Sequence, residues 1–259
     1  MTTISKYFTA FRECYIAARE FRNPLSVISR RLKFTKRYPF EIVTTSGLKF
    51  IAQSYHDLVT LWIVFCRSEY CVRDDAKIIV DLGANIGVFS IWAAHKNSQA
   101  TIWAVEPFPR CVQQLNGNIS ANQLSDRITV IAKAVSTYWG EGAMNTFGPT
   151  QSNGLHPEGV QVNVDMVVVP TIPFNDLIKF VVSHAKQKID FLKIDVEGGE
   201  HSFLLNGNCD QLEHVNSIGM EYHPNGQKEL LFSSLRLYGF KLISDVVAAE
   251  NSGVAHFSR

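Results

Sequence analysis

The stretch IIVDLGANIGVFS, Ile78–Ser90, is an apolar run that ends in an acid and is followed by two glycines. Ile78 to Leu82 reads as a buried strand, and the glycines read as a tight turn into a helix. A turn of this kind at the carboxyl end of a parallel strand faces a ligand. In a dinucleotide fingerprint, G-x-G-x-x-G, backbone amides approach a pyrophosphate. Here the turn is Gly83-Ala84-Asn85-Ile86-Gly87, and Asp81 stands two residues before the first glycine. A carboxylate at that point repels a pyrophosphate and attracts a cation.

S-adenosylmethionine meets that demand, because its sulfonium and amino group are positive and it carries no phosphate. Glu106-Pro107 closes the next strand, TIWAVEP, about twenty residues on, where an acid can take both ribose hydroxyls. The candidate donor-binding residues are therefore Asp81, Gly83, Ala84, Asn85, Gly87, Glu106 and Pro107. Asp81 is expected to draw the donor's ammonium directly or through water. The plain alternatives are a capping acid for Asp81 and a solvated strand-end acid for Glu106.

Around this turn, strand and helix signals alternate from Lys77 onward, which implies a mainly parallel sheet covered on both faces. Strands are expected at 78–82, in TIWAVEP, in RITVIAKAVS as one element, in VQVNVDMVVVP, in IDFLKIDV and in SIGMEYHP. Helices are expected at about 87–96, 109–121, 173–183 and 226–238. FKLISDV and GVAHFS form a closing hairpin that places an antiparallel strand at the sheet edge. Residues 140–160 are rich in glycine and proline and read as a long loop over the sheet, a common place for a substrate lid. Before Lys77, Ile4, Phe8, Phe11, Tyr15 and Ala18 recur at helical spacing over 4–21, Asn23-Pro24 interrupts, and LSVISRRLKF resumes the helical pattern. A hairpin around Ser46-Gly47 and a helix from near Asp57 follow. This gives a cap over 1–76 and a catalytic domain over 77–259.

FLKIDVEGGEHSFLLNG places Lys193, Asp195 and Glu197 on alternate residues at a strand's carboxyl end, one face of the strand where it stays extended. The next strand ends in Glu221-Tyr222-His223-Pro224. Asp195, Glu197, Glu221 and His223 can thus converge beside the donor's sulfur, where an acceptor hydroxyl needs a group to take its proton. Lys193, Asp195, Glu197 and His223 are the candidate catalytic residues. Lys193 pairing structurally with an acid, and His223 merely ending its strand, are the alternatives. Asp195, Glu197 and His223 also have the chemistry of divalent-metal ligands, but no fixed spacing supports it, so no resident metal is expected.

Of the 259 residues, 46% are hydrophobic, enough to bury one sizeable core. No apolar run reaches membrane-spanning length and no signal-peptide block opens the chain, so a cytoplasmic location is expected. Five cysteines with no C-x-x-C pair read as inert reduced thiols. Up to Tyr38 there are nine Lys/Arg and two acids, +7, against a net charge of +1 for the whole chain. Such asymmetry suits either a solvated cap helix or peripheral contact with the inner membrane surface. The acidic remainder and the lack of a basic-aromatic surface argue against nucleic acid.

VDLGANIGVFSIWAA, AVEPFP, NISAN, AVS, FLKIDVEGGEHSFLLNG and MEYHP, in that order, resemble the FkbM-like methyltransferases, as does DLVTLWIVFCRSEY ahead of them. The resemblance implies a class I, Rossmann-like fold with a seven-stranded sheet whose last strand is antiparallel. It also implies O-methylation from S-adenosylmethionine onto a hydroxyl of a sugar, glycan or secondary metabolite. Asp81, Gly83, Asn85, Gly87 and Glu106 match that family's donor-binding motif; Lys193, Asp195, Glu197 and Gly198 match its later motif near the reacting methyl. The rival readings are an NAD(P)-dependent oxidoreductase and a donor-binding domain without catalysis.

Overall fold

The computed structural model describes residues 3–146, 155–156, 165–224, 227–249 and 252–259. Helices α1 (Thr3–Glu20) and α2 (Pro24–Arg31) are divided where Asn23 precedes a proline at the first position of α2. The helix is where its periodicity puts it, but it presents a different face. Phe11, Tyr15 and Ala18 are exposed, while Glu13 and Ala17 are buried. The reason is an acid: Glu13 accepts from the Trp62 indole at 2.6 Å and pairs with Arg67 at 3.0 Å, so the side that bears it turns inward.

The expected hairpin is β1 (Phe40–Val43) against β2 (Lys49–Ala52). Helix α3 (Tyr55–Trp62) starts two residues before Asp57 because Ser54 caps it, accepting from the Asp57 amide and donating to the Asp57 carboxylate. It continues into one π turn, Ile63–Arg67.

From there the chain alternates: β3 (Ile78–Leu82), α4 (Val88–Lys96), β4 (Thr101–Val105), α5 (Pro109–Ala121) and β5 (Ile128–Ile131). The single strand expected in RITVIAKAVS is in fact two. The Lys133 amide turns back on the Ile131 carbonyl, and β6 (Ala134–Ser136) leaves for a separate small sheet. Its partners are β7 (Gly140–Asn145) and β8 (Met166–Pro173), in order β6-β8-β7. The first part of the expected loop over 140–160 is therefore strand; of the rest, 147–154 and 157–160 lie outside the described residues. Helix α6 (Phe174–Ala185), β9 (Phe191–Ile194), α7 (Gly199–Asn206), β10 (Ser217–Tyr222), α8 (Lys228–Leu237), β11 (Lys241–Ala249) and β12 (Ser252–Ser258) complete the chain.

The main sheet has seven strands in the order β11-β12-β10-β9-β3-β4-β5, and β12 alone runs against the others. The antiparallel strand is thus not at the edge. Its central five residues, GVAHF, are all buried and need a neighbour on each side, whereas β11 exposes Ile243, Val246 and Val247 and can stand outside. β3 and β9 are parallel, but the chain adds β4 and β5 on one side of β3 and β9 and β10 on the other, so the carboxyl ends of β3 and β9 open a crevice at this switch point.

Alternation along β3 divides its side chains between the two layers. Ile78, Val80 and Leu82 join the cluster under α6, α7 and α8, while Ile79 joins the cluster shared by α4, α5, the hairpin and the N-terminal helices. Phe21, Phe50 and Phe65 pack edge to face within that second cluster, so the N-terminal segment and the sheet have one continuous apolar layer.

Gly87 and Gly239 have nearly the same backbone, φ +87° and +86°, but only at Gly87 would a Cβ strike a neighbour, Leu115 Cδ1 at 2.4 Å. Gly239→Ala is therefore expected to cost about 1–2 kcal/mol from the left-handed conformation alone. Gly87→Ala should cost a further ~1–3 kcal/mol from overpacking α4 against α5. Urea unfolding of both variants checks this; equal losses would show that the close approach at Gly87 is not a constraint.

Candidate active site

A cavity of about 350 Å³ lies over the crevice. Its floor is the glycine turn, Gly83 to Asn85, with Glu106, Pro107 and Phe108 after β4. Asp195, Val196, Glu197, Glu221 and His223 line it from the ends of β9 and β10. Thr60, Ile63, Val64 and Tyr70 close it from the N-terminal side, and Ala134, Val135, Met144 and Leu155 from the small sheet.

The floor is tightly specified. Gly83 has φ +78°, and a Cβ there would sit 1.7 Å from the Asp195 carbonyl oxygen, so only glycine lets β3 turn this close to β9. Asn85 is left-handed as well, at φ +49°. Its amide donates to Glu106 at 2.8 Å, and the Phe108 amide donates to the other Glu106 oxygen at 2.8 Å. The carboxylate is thereby clamped with lone pairs still directed to the cavity. Burial, opposed by these two amides, pushes the Glu106 carboxyl up to about 7. Asn85 Oδ1 is buried with no partner, the kind of orphan that a ligand's donor group satisfies.

Asp81 does not reach the cavity. It is 0% exposed, accepts from Ser90 Oγ at 2.6 Å, and lies 3.1 Å from the Lys193 ammonium. The β3–β9 register sets the two residues side by side. Lys193, 4% exposed, also pairs with Asp195 at 3.2 Å and donates to the Gly83 carbonyl at 3.1 Å. Burial opposes its charge, yet Asp195 and Asp81 hold the ammonium far above the ordinary lysine range. The direct attraction expected between Asp81 and a bound ammonium is thus replaced by a buried ion pair. Gly87 also lies off the cavity wall and serves the turn and helix packing.

At the opposite wall, β9 ends at Ile194, so strand alternation does not place Glu197. A left-handed turn does: Glu197 has φ +52° and Gly198 φ +94°, which swings the Glu197 carboxylate to within 3.2 Å of His223 Nε2. His223 Nδ1 lies 3.0 Å from Glu200, a fully buried carboxylate that also accepts the His223 and Gly198 amides. Burial works against the imidazolium, but the bonds to Glu197 and Glu200 outweigh it and push His223 up to about 11. Burial, and after it the Asp195 charge, push Glu221 up to about 8. Lys193, Asp195, Glu197 and His223 therefore meet at one wall of the cavity, with Glu221 4.0 Å from His223.

Two contributors lie within the motif stretches, but only the fold shows what they do. Glu200 follows Gly199 at the start of α7, and only the fold shows that it fixes the His223 ring. Tyr70, from the N-terminal segment, donates to Asp195 at 3.4 Å, and burial raises its phenol well above the ordinary value. The free thiols of Cys66 and Cys209 are buried away from the cavity and held up to about 12 by that burial.

Residues 81–242, more than half of the chain, match the Methyltransferase FkbM domain. Methyltransferase sdnD of Sordaria araneosa is 28% identical over 196 residues, covering 64% of this chain and 74% of that protein. The 31-O-demethyl-FK506 methyltransferase FkbM of Streptomyces tacrolimicus is 25% identical over 195 residues, covering 65% and 74%. Among solved structures, Methyltransferase FkbM from Methylobacillus flagellatus KT gives a TM-score of 0.52 at 15% identity. That likeness of fold covers 99% of this chain and 60% of the other. Sheet order, glycine turn and sequence together define a methyltransferase on a Rossmann-like sheet. The chain belongs to the FkbM methyltransferase family, which sets aside the oxidoreductase alternative.

Removing the Lys193 ammonium strands a buried carboxylate, so Lys193→Met is expected to destabilise the fold by about 3–5 kcal/mol. Asp81→Asn in the same chain should restore part of that, with a coupling of about 0.5–3 kcal/mol in a double-mutant cycle. Additive losses in urea melts would show that the pair does not hold the strands together.

Proposed function

We propose that the protein transfers a methyl group from S-adenosylmethionine to a hydroxyl of a sugar, glycan precursor or secondary-metabolite acceptor. One observation carries this reading: a single cavity sets a clamped acid, Glu106, against a wall of Asp195, Glu197, Glu221 and His223. Four acids line the cavity with Lys133, Lys193 and His223, and the last two are already paired with Asp195 and Glu197, so the lining favours a ligand with positive charge over a pyrophosphate. In this reading Glu106 accepts from both ribose hydroxyls, and the orphaned Asn85 Oδ1 accepts from a donor group on the same ligand. Bound there, the donor supplies a methyl on a positively charged sulfur. The relative named 31-O-demethyl-FK506 methyltransferase points, by that name, to methylation at oxygen.

The chain's own task is to hold the acceptor hydroxyl in line with that methyl and to remove its proton. Both ring nitrogens of His223 already face carboxylates, at 3.0 and 3.2 Å, so the ring donates rather than accepts. The proton passes instead to a carboxylate of this wall. Tyr70 and Lys193 hold Asp195 in position, and Met144 and Leu155 cover the opening with apolar surface.

Glu106 must be ionised to accept two hydroxyl donors, and burial pushes its carboxyl up to about 7. Binding of S-adenosylhomocysteine is therefore expected to expel a proton. Affinity should fall as pH drops below about 7, up to tenfold per pH unit, and level off above it. Glu106→Gln should weaken binding at least tenfold, about 1.4 kcal/mol, and flatten the pH dependence. Calorimetry in buffers of different ionisation enthalpy reads both effects. A wild-type affinity independent of pH between about 6 and 8, roughly one unit either side of 7, would remove Glu106 from the ribose site.

We further propose that α1, α2 and the chain after them rest on an anionic lipid surface, which would bring a lipid-linked acceptor to the cavity. Phe11, Tyr15, Leu25, Leu32 and Phe34 are exposed, Phe11 at 74% and Phe34 at 81%, among the exposed cations Arg12, Arg19, Arg22, Lys36 and Arg37. Apolar side chains set among cations match the chemistry of an interfacial anchor. Among the described residues no helix is long and apolar enough to cross a membrane. The protein should pellet with vesicles of phosphatidylglycerol and phosphatidylcholine and not with phosphatidylcholine alone. Phe11→Ser with Phe34→Ser should abolish pelleting; unchanged pelleting of that variant would sink the idea.

A further inference from the structure

We propose that Asp195, Glu197 and His223 bind a divalent cation at the acceptor wall of the cavity. The proposal deepens the methyl-transfer reading and rests on it for the cation's use. One ligand atom from each of the three residues lies within 4.8 Å of the other two, and all three residues line the cavity. Around a cation with ligands at about 2.1 Å, neighbouring ligand atoms stand ~3 Å apart and opposed ones ~4.2 Å. The 3.2 Å between His223 Nε2 and Glu197 Oε2 is a separation of the first kind.

The second argument is the orientation of the ring. Ligating histidines as a rule bond their other nitrogen to a carboxylate or carbonyl, which fixes ring and tautomer. Glu200 is that partner: fully buried, 3.0 Å from Nδ1, and itself held by the His223 and Gly198 amides. With Nδ1 so engaged, Nε2 is the nitrogen directed at Asp195 and Glu197. A cation takes the place of the Nε2 proton.

The third argument is charge. Lys193 already faces two acids, Asp81 and Asp195, and Arg67 faces Glu13 and Glu69. One imidazolium then stands between Glu197 and the fully buried Glu200, with Asp195's remaining oxygen beside them, an excess of negative charge on buried and partly buried groups. An imidazole with two carboxylates and open positions suits Mn²⁺, Fe²⁺, Co²⁺ or Zn²⁺ better than Ca²⁺. An acceptor hydroxyl held at an open position would lose its proton more readily. With Asp195 and Glu197 as ligands, Glu221 is the carboxylate left to take that proton. The oxygen's electron pair then forms the bond to the methyl carbon, and the carbon–sulfur pair returns to sulfur.

The test uses the full chain, stripped with EDTA and titrated with Mn²⁺ by electron paramagnetic resonance. One Mn²⁺ per chain is expected, with coupling to an imidazole nitrogen. Asp195→Asn should weaken Mn²⁺ at least tenfold, and His223→Gln should do the same and remove the nitrogen coupling. Circular dichroism and melting confirm that both variants fold. Glu106→Gln should keep wild-type Mn²⁺ affinity while losing S-adenosylhomocysteine, which separates this proposal from the donor reading. Failure to retain Mn²⁺ at millimolar concentration, or retention indifferent to both substitutions, overturns the site. Mn²⁺ binding with no S-adenosylhomocysteine binding upholds the site and overturns the donor reading instead.

Discussion

Lys193 is a cation with almost no access to water, and the arrangement of the cavity follows from how its charge is met. Strand register brings Asp81 beside it from β3, while β10 offers Gly219 on the other side, where a Cβ would meet Phe191 at 2.6 Å and Tyr70 at 3.3 Å. The ammonium bonds Asp81, Asp195 and the Gly83 carbonyl, with the Tyr70 and Phe89 rings 5.4 and 5.9 Å away. It thus joins the end of β3, the glycine turn and the end of β9. A buried ion pair is weak evidence for added stability, since apolar replacements can match it. Its effect here is positional: the turn that aims Asn85 at Glu106 and the segment that carries Asp195 and Glu197 are fixed relative to one cation.

The two sides of the cavity are built differently. The glycine-turn side consists of backbone amides, a clamped acid and glycines whose replacement would collide with neighbouring residues, so its shape is dictated by the sheet. The opposite side joins the strand-end residues of β9 and β10 to parts outside the main sheet: a π turn supplying Ile63 and Val64, a strap supplying Tyr70, and β7 with the residue bridged to it supplying Met144 and Leu155. π turns recur at functional sites because the extra residue in the turn redirects side chains. A half fixed by the sheet and a half made of peripheral segments let one scaffold vary at its periphery.

Much of this was legible in the sequence because it is local. The apolar run 78–82, the glycine turn and the helix at 109–121 follow from periodicity and turn chemistry, and the strand-end acids fall at the crevice once the sheet is parallel. What was not legible depends on partners distant in the chain. The row Phe11, Tyr15, Ala18 has the right spacing for a buried face, but Glu13 finds Trp62 and Arg67 and takes the inner side. Asp81 reads as a ligand acid until Lys193, more than a hundred residues on, occupies it (the separation from Lys193 to Leu82 alone is 111). RITVIAKAVS has no glycine or proline to announce its break, which is a backbone turn at Ile131–Lys133. Glu200 and Tyr70 lie within the motif stretches, yet their importance lies wholly in what they touch.

The strap between the π turn and β3 shows why the N-terminal segment cannot be treated as an ornament on the sheet. Glu69 gives its carbonyl to His256 on β12 at 2.8 Å, and Tyr70, next in the chain, reaches Asp195 on the far side of β10. Arg67 meanwhile pairs with Glu13 on α1 and with Glu69. Contacts therefore run from α1 through the exposed Arg67 and the half-buried Glu69 to Tyr70, the buried residue that holds Asp195. If the N-terminal helices rest on a lipid surface, that contact acts on the same strap. The cavity wall that carries Asp195 and the N-terminal helices are thus joined by a short run of contacts, Glu13–Arg67–Glu69 and then Tyr70–Asp195.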